Sequence, residues 1–273
     1  MEFNDWEPVY AVVLADMGFD RAADEAARDL LADLVADGET TVQRPPDAGA
    51  GASDASEDSA GASDMSEDSV GSPNAEEGHN RPLALEALDF GGKTVAIVGA
   101  GPSLDSELDT VRAADTVVAA SDAAYRLRSA GVTVDCMVTD LDEESDVARE
   151  LTAAGTPVAA HAHGDNRPAL RERVPRLTVE WVLPTTQAAP VGPVVNPGGF
   201  TDGDRAAFLA DHCGAAELRF AGWDLDDPSV DPLKAHKLDW AERLLRWLER
   251  RRGERFDPLE GRRNGIDESA LPV

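Results

Sequence analysis

Lysine is almost absent from this 273-residue chain: Lys93, Lys234 and Lys237 are the whole supply. Acidic residues number 53 against 25 basic ones, for a formal net charge of -28. Such a field repels free nucleic acid and removes it as a partner class. The acidity is spread along the chain and not confined to one tail. A hydrated carboxylate surface with so little lysine suits a salt-saturated cytoplasm, where high ionic strength screens the self-repulsion. Dilution from molar monovalent salt to about 0.1 M is therefore expected to lower the melting temperature sharply. An unchanged melting temperature across that range would defeat the halophilic reading.

Cysteine is scarce as well. Cys136 and Cys213 sit among apolar or small residues. They read as buried thiols of a reducing compartment, not as a disulfide or a metal pair. No apolar run approaches the roughly 20 residues of a membrane-spanning helix. The opening Met1-Glu-Phe-Asn-Asp5 is acidic, unlike the basic start of a signal peptide. The expectation is a soluble, cytoplasmic protein with no membrane partner.

Against these absences stands Thr94-Val-Ala-Ile-Val-Gly-Ala-Gly-Pro-Ser-Leu-Asp105. An apolar run enters Gly99-Ala-Gly-Pro-Ser103, which reads as a buried strand breaking into a tight loop of an α/β sheet. Gly99 and Gly101 would let backbone N–H groups approach a ligand closely, a natural seat for phosphate. The Lys-Ser/Thr ending of a P-loop is missing. Leu104 stands where the dinucleotide pattern wants a third glycine. Nucleotide or phosphate chemistry is suggested without being named.

The chain divides into three stretches. Residues 1–44 read as a small helical unit that cannot bury a core alone. Asp20 is the expected N-cap of a helix over 21–36 whose apolar face is Ala23, Ala27, Leu30, Leu31, Leu34 and Val35, ended by Gly38. The apolar turn of the first helix is expected at 11–14, after Trp6-Glu-Pro-Val-Tyr10. Residues 45–80 hold a near-perfect ten-residue repeat, 51–60 and 61–70, of Gly, Ala, Ser, Asp and Glu. It has almost nothing to bury and is expected to be a disordered acidic linker. Residues 81–273 alternate strand and helix patterns. Candidate strands are Thr94–Val98, Thr116–Ala120, Cys136–Thr139, 158–161, 178–183 and Glu217–Ala221, with helices such as Asp122–Ser129 and 143–153 between them. The fold class is α/β: a Rossmann-like, mostly parallel sheet with helices on both faces, plus the N-terminal helical unit.

In such sheets ligands gather beyond the carboxyl ends of the strands, and polar clusters of this chain fall there. Ser103 either caps a helix or meets phosphate, and Asp105 is a second candidate cap. Ser121-Asp122 places a carboxylate where dinucleotide sheets bind ribose, or where the next helix needs an N-cap. Asp140 and Asp142 can share one face and hold a hard cation, magnesium, on polyphosphate oxygens; Asp142 alternatively caps a helix from Glu143. His161-Ala-His163-Gly-Asp165-Asn166 is hard to explain as packing. With no third soft ligand in obvious spacing, contact with phosphate or substrate is preferred over zinc. In Gly199-Phe-Thr-Asp-Gly-Asp-Arg205, Thr201 or Asp202 caps a helix, and Arg205 braces a phosphate or pairs with Asp204. Trp223 either stacks on a ring or sits in the core. Lys234 and Lys237 share one helix face and suggest neutralisation of phosphate charge.

Taken in order, the motifs at 98–104, 121–122, 138–142, 161–166, 199–205, 222–224 and 234–238 resemble the archaeal 6-hydroxymethyl-7,8-dihydropterin pyrophosphokinases. The resemblance runs close to full length and no single motif carries it. The acidic repeat is its main departure and looks like a haloarchaeal insertion. The resemblance implies transfer of pyrophosphate from ATP to the hydroxymethylpterin, release of AMP, a magnesium requirement and a place in folate or methanopterin synthesis. The implied catalytic set is Asp140, Lys234, Lys237, His161 and His163, with Asp140 and Asp142 on the metal. Gly99, Gly101, Pro102, Ser103, Ser121, Asp122, Asp165, Asn166, Gly199, Thr201 and Trp223 would form the binding surface for ATP and pterin. Small molecules are the expected partners, and a homodimer stays open. A nucleotide-sugar glycosyltransferase of related fold is the alternative, and a non-catalytic anion-binding module the third reading.

Overall fold

The computed structural model describes residues 1–37, 81–142 and 146–272. The acidic repeat, Gly38 and residues 143–145 therefore lie outside the described residues. Six strands form one sheet: β1 (Thr94–Val98), β2 (Thr116–Ala120), β3 (Cys136–Thr139), β4 (Val158–Ala162), β5 (Val182–Thr186) and β6 (Glu217–Ala221). Their order is β5-β4-β3-β2-β1-β6, and every pairing is parallel. The chain steps outward from β1 to β5, then returns to place β6 on the other side of β1. That reversal opens a crevice beyond the carboxyl ends of β1 and β6.

Strands buried on both faces must be apolar at nearly every position, and β2 is buried throughout. Alternate residues feed two cores. Val95 and Ile97 of β1 join one core with α1 (Phe3–Met17), α7 (Asp202–His212) and α8 (Pro232–Arg252). Ala96 and Val98 join the other with α2 (Arg21–Asp37), α3 (Leu108–Arg112), α4 (Asp122–Ser129), α5 (Val147–Ala153) and α6 (Arg167–Arg173). The result is a three-layer α/β sandwich of Rossmann-like type. The N-terminal helices contribute one member to each core, so they clasp the sheet from both faces.

Local details differ from the sequence reading in instructive ways. Helix α1 begins at Phe3 and runs straight through Pro8. An interior proline costs about 3 kcal/mol. Burial of Trp6, Val9, Tyr10 and Val13, each fully enclosed, returns roughly 1.5–3 kcal/mol apiece and outweighs it. Asp20 caps α2 as expected, its Oδ1 accepting from Ala22 N at 3.0 Å. The fifth strand is displaced: 178–181 is a turn with a short 3-10 segment, Val179–Trp181, and β5 begins at Val182. Pro184 lies inside β5, paired with Ala160. Proline is tolerated there because β5 is an edge strand. Among the described residues no helix is long and apolar enough to cross a membrane.

Candidate active site

A cavity of about 490 Å³ opens at the carboxyl ends of the strands. The loops after all six strands reach it: Gly99–Gly101, Ser121–Asp122, Asp140 with Asp142, His163 with Asp165, Gln187, and Gly222–Asp224. The first turns of α7 and α8 and Phe19, in the α1–α2 turn, complete the wall.

The glycine loop lines the cavity and is held by the segment leaving β6. Gly99 N donates to Ala221 O and Gly101 N to Gly222 O, both at 2.9 Å. Ser103 N donates to the Asp224 carboxylate at 2.9 Å. Three backbone donors of the loop, those of Gly99, Gly101 and Ser103, are thus taken by the segment leaving β6 and the Asp224 carboxylate. The glycines serve that contact: a Cβ on Gly99 would lie 2.5 Å from Gly222 O, and one on Gly101 would lie 2.3 Å from Asp224 Oδ2. Arg126 clamps the loop from outside, donating to Ala100 O at 2.7 Å and to the Asp105 carboxylate at 2.8 Å. Asp105 is therefore an ion-pair partner, not a cap. Pro102 and Ser103 lie in the short turn Pro102–Ser106 and do not line the cavity.

The loop after β3 is built around backbone strain. Leu141, buried at 3 % exposure, has φ +61°, a conformation that costs a non-glycine residue about 1–3 kcal/mol. Its N–H is held by Thr139 Oγ1 at 2.9 Å. The bend turns Asp142 N back towards Asp140 Oδ1, at 3.3 Å. Asp142 does not cap α5; that helix starts at Val147 with Asp146 at the N-cap position. Asp140 Oδ2 lies 3.2 Å from His163 Nε2. Burial works to raise the Asp140 pKa, but hydrogen bonds with His163 and Asp142 and the Arg205 charge hold it well below the usual carboxylate range. Burial, then the hydrogen bond and charge of Asp140, push the Asp142 carboxyl up to about 6.

Asn166 ties this loop to β4. Its Nδ2 donates to Asp140 O at 2.7 Å and His161 O at 2.6 Å, and its Oδ1 accepts from His163 N at 3.0 Å. It is buried and does not line the cavity. His161 is also buried behind the wall. His161 Nδ1 lies 3.0 Å from Thr185 Oγ1, which also lies 3.3 Å from Ala160 O. Burial and the Arg205 charge hold the His161 pKa well below the ordinary histidine value, so the ring is neutral. The structure thus separates the two histidines, and only His163 faces the cavity.

Thr201 occupies the N-cap position of α7, and its N–H and hydroxyl both donate to Asp204. Arg205 turns away from Asp204: it donates to Asp202 at 2.8 Å and to Gln187 at 3.2 Å. Asp202 also accepts from the hydroxyl of Ser121, a residue at φ +46°. Ser121 holds the N-cap position of α4, so Asp122 is the first helical residue and not its cap. Gly199 is buried outside the cavity; a Cβ there would meet Arg205 Cα at 2.6 Å.

Lys234 and Lys237 line the cavity from the first turns of α8, whose N-cap Asp231 accepts from Lys234 N at 2.9 Å. Neither lysine has an ion-pair partner among the described residues. Trp223 forms both wall and core: its Nε1 donates to Ile97 O at 3.0 Å, and its ring meets Phe220 edge-on at 5.4 Å. Of the expected site residues, Gly99, Gly101, Ser121, Asp122, Asp140, Asp142, His163, Asp165, Thr201, Trp223, Lys234 and Lys237 come together; His161, Asn166 and Gly199 are buried behind the wall, and Pro102 and Ser103 lie outside the cavity nearer the surface. Asp202, expected only as a cap, also lines the cavity, and Asp224, Phe19 and Gln187 were missed. The i,i+3 spacing of Asp202 and Arg205 was a usable signal. Nothing local marks Gln187.

Fold and cavity together define a Rossmann-like α/β protein with a charged cleft at its topological switch point. Residues 73–229 match the family model described as 6-hydroxymethylpterin diphosphokinase MptE-like, and the chain belongs to that family. It is 34% identical over 267 residues to the 6-hydroxymethyl-7,8-dihydropterin pyrophosphokinase of Methanothermobacter thermautotrophicus, covering 92% of this chain and 96% of that protein. The proteins of the same name from Pyrococcus furiosus and Methanocaldococcus jannaschii are 31% and 26% identical, each over 91% of this chain and over 94% and 96% of their own lengths.

Proposed function

We propose that this chain transfers diphosphate from ATP to 6-hydroxymethyl-7,8-dihydropterin, giving the pterin diphosphate and AMP, in folate or methanopterin synthesis. The relatives named above support the reaction class. The structural observation that carries the reading is one cleft lined both by the Asp140 and Asp142 carboxylates and by Lys234 and Lys237, which have no ion-pair partner among the described residues.

Magnesium takes one or two carboxylates and completes its shell with water and phosphate oxygens. Asp140 and Asp142 suit that mode. Among the described residues no group of three or more His, Cys, Asp or Glu is placed to hold a metal ion. When bound, the ion neutralises and orients polyphosphate oxygens.

Pyrophosphoryl transfer asks mainly for alignment and charge neutralisation. Lys234 and Lys237 meet the charge of the transferred group. His163, oriented by Asp140, accepts the hydroxymethyl proton as that oxygen bonds to the β-phosphorus and the bond to the α,β-bridging oxygen breaks, releasing AMP. Trp223, Phe19 and Phe200 offer ring faces to pterin and adenine.

The test is direct. Purified protein, ATP, magnesium and the reduced hydroxymethylpterin in molar salt should yield AMP and pterin diphosphate in equal amounts. Turnover of a nucleotide sugar with no AMP from this mixture would support the glycosyltransferase reading. Nucleotide binding without any turnover would support a binding module.

A further inference from the structure

We infer that the N-terminal helix pair is part of the active site, and that Asp24 is a positioning residue that orients Arg205. This rests on the reading of the cleft as the reaction site. Asp24 lies outside the 73–229 match, near the start of α2, and is 3 % exposed. A carboxylate so deeply buried needs partners, and it has three from three elements. It accepts from Tyr10 Oη at 2.6 Å, from Gln187 Nε2 at 2.7 Å and from Gly164 N at 2.7 Å.

Two of these partners lead to the cleft. Gly164 stands between His163 and Asp165, which both line it. A Cβ at Gly164 would lie 2.8 Å from Ala23 Cβ, so the first turn of α2 presses directly on that loop. Gln187 relays the second contact. Its Oε1 accepts from Arg205 Nη2 at 3.2 Å, and the other arm of Arg205 reaches Asp202 at 2.8 Å.

The polarity of this chain is forced. A carboxylate only accepts and a guanidinium only donates. Gln187 satisfies both neighbours in one amide orientation alone: its NH₂ towards Asp24 and its oxygen towards Arg205. Asp24 therefore selects the amide orientation, and the amide sets the guanidinium. Asp24→Asn leaves one acceptor oxygen where two served three donors, so its NH₂ faces either Gly164 N–H, disturbing the His163–Asp165 loop, or the NH₂ of Gln187, which then flips and presents NH₂ to Arg205. Gln187→Glu alone sets two carboxylates against each other. The double variant restores an alternating chain: the new amide at position 24 donates to the new carboxylate at position 187, and that carboxylate accepts from Arg205.

The test compares wild type, D24N, Q187E, D24N/Q187E and Glu7→Gln. The last breaks a half-buried α1–α2 ion pair with Arg21, 2.9 Å long, and leaves Asp24, Gln187 and Arg205 unchanged. Turnover and calorimetric affinity for magnesium with a non-hydrolysable ATP analogue are measured well below each melting temperature. Each relay single variant should lose at least about tenfold in kcat/KM or affinity. The double should return to within about threefold of wild type, a coupling that distant sites do not show. E7Q should behave as wild type. Wild-type values in folded D24N, or a double variant no better than the singles, would overturn the inference. If D24N does not fold, recovery of Q187E by the second substitution decides in the same way. If wild type releases no AMP with the pterin, the proposed reaction fails, and the binding arm alone still judges Asp24.

Discussion

Asp140→Asn is expected to lower turnover at least about 100-fold, some 2.7 kcal/mol of barrier, while the protein stays folded. The substitution keeps size and shape and removes the charge. That charge is the one held most firmly in the cleft: burial opposes it, yet His163, Asp142 and Arg205 keep the carboxyl well below its ordinary range. A depressed carboxyl contributes stability that is present above the unfolded pKa and is lost as pH falls through the folded one. D140N forgoes that contribution near neutrality, but it also relieves repulsion with Asp142 and Asp202, whose carboxyls Asp140 helps to raise. The net change in melting temperature is expected to be small. Excess magnesium should restore part of the turnover. A mere turn-capping role predicts the reverse: a stability loss of about 0.5–2 kcal/mol with turnover kept. Thermal melting beside a magnesium titration of AMP release separates the two. Near-wild-type turnover with an unchanged magnesium requirement would remove Asp140 from the site.

Gly99→Ala is expected to destabilise the fold by about 3 kcal/mol, the upper part of the range for overpacking. At roughly 2–4 °C per kcal/mol for a domain of this size, the melting temperature should fall by roughly 6–12 °C. The added Cβ would lie 2.5 Å from Gly222 O and 3.3 Å from Gly222 C. Both obstacles are backbone, so no rotamer change relieves them. β1 and the edge strand β6 would have to part, since Gly99 follows β1 and Gly222 follows β6. If Gly99 served only to let a phosphate approach, G99A would melt like wild type and lose nucleotide affinity alone. Differential scanning calorimetry with a binding titration distinguishes these results.

The strands were legible because a parallel sheet covered on both faces demands an apolar residue at almost every position. Thr94–Val98, Thr116–Ala120, Cys136–Thr139 and Glu217–Ala221 appear with their expected bounds. The error at 178–183 has the same root. Val179 and Trp181 look like strand residues and Pro184 does not, but register is chosen by the partner strand, and β4 pairs with Val182–Thr186. The strand exits were legible as polar clusters, so most of the cleft could be named in advance.

Composition and local pattern alone determined the α/β class, the apolar face of α2, the Asp20 cap and the carboxylate pair after β3. Each depends on residues a few positions apart. Only the tertiary structure decided which polar groups remain free for a ligand. The donors of Gly99, Gly101 and Ser103 are consumed by the stretch from Ala221 to Asp224. His161 is sealed behind the wall by Thr185, and Arg205 is turned from Asp204 towards Gln187 and Asp202. Most of these pairings join residues far apart in the chain. A buried polar group must find a partner somewhere, and which partner is within reach depends on the packing of elements that local sequence does not record.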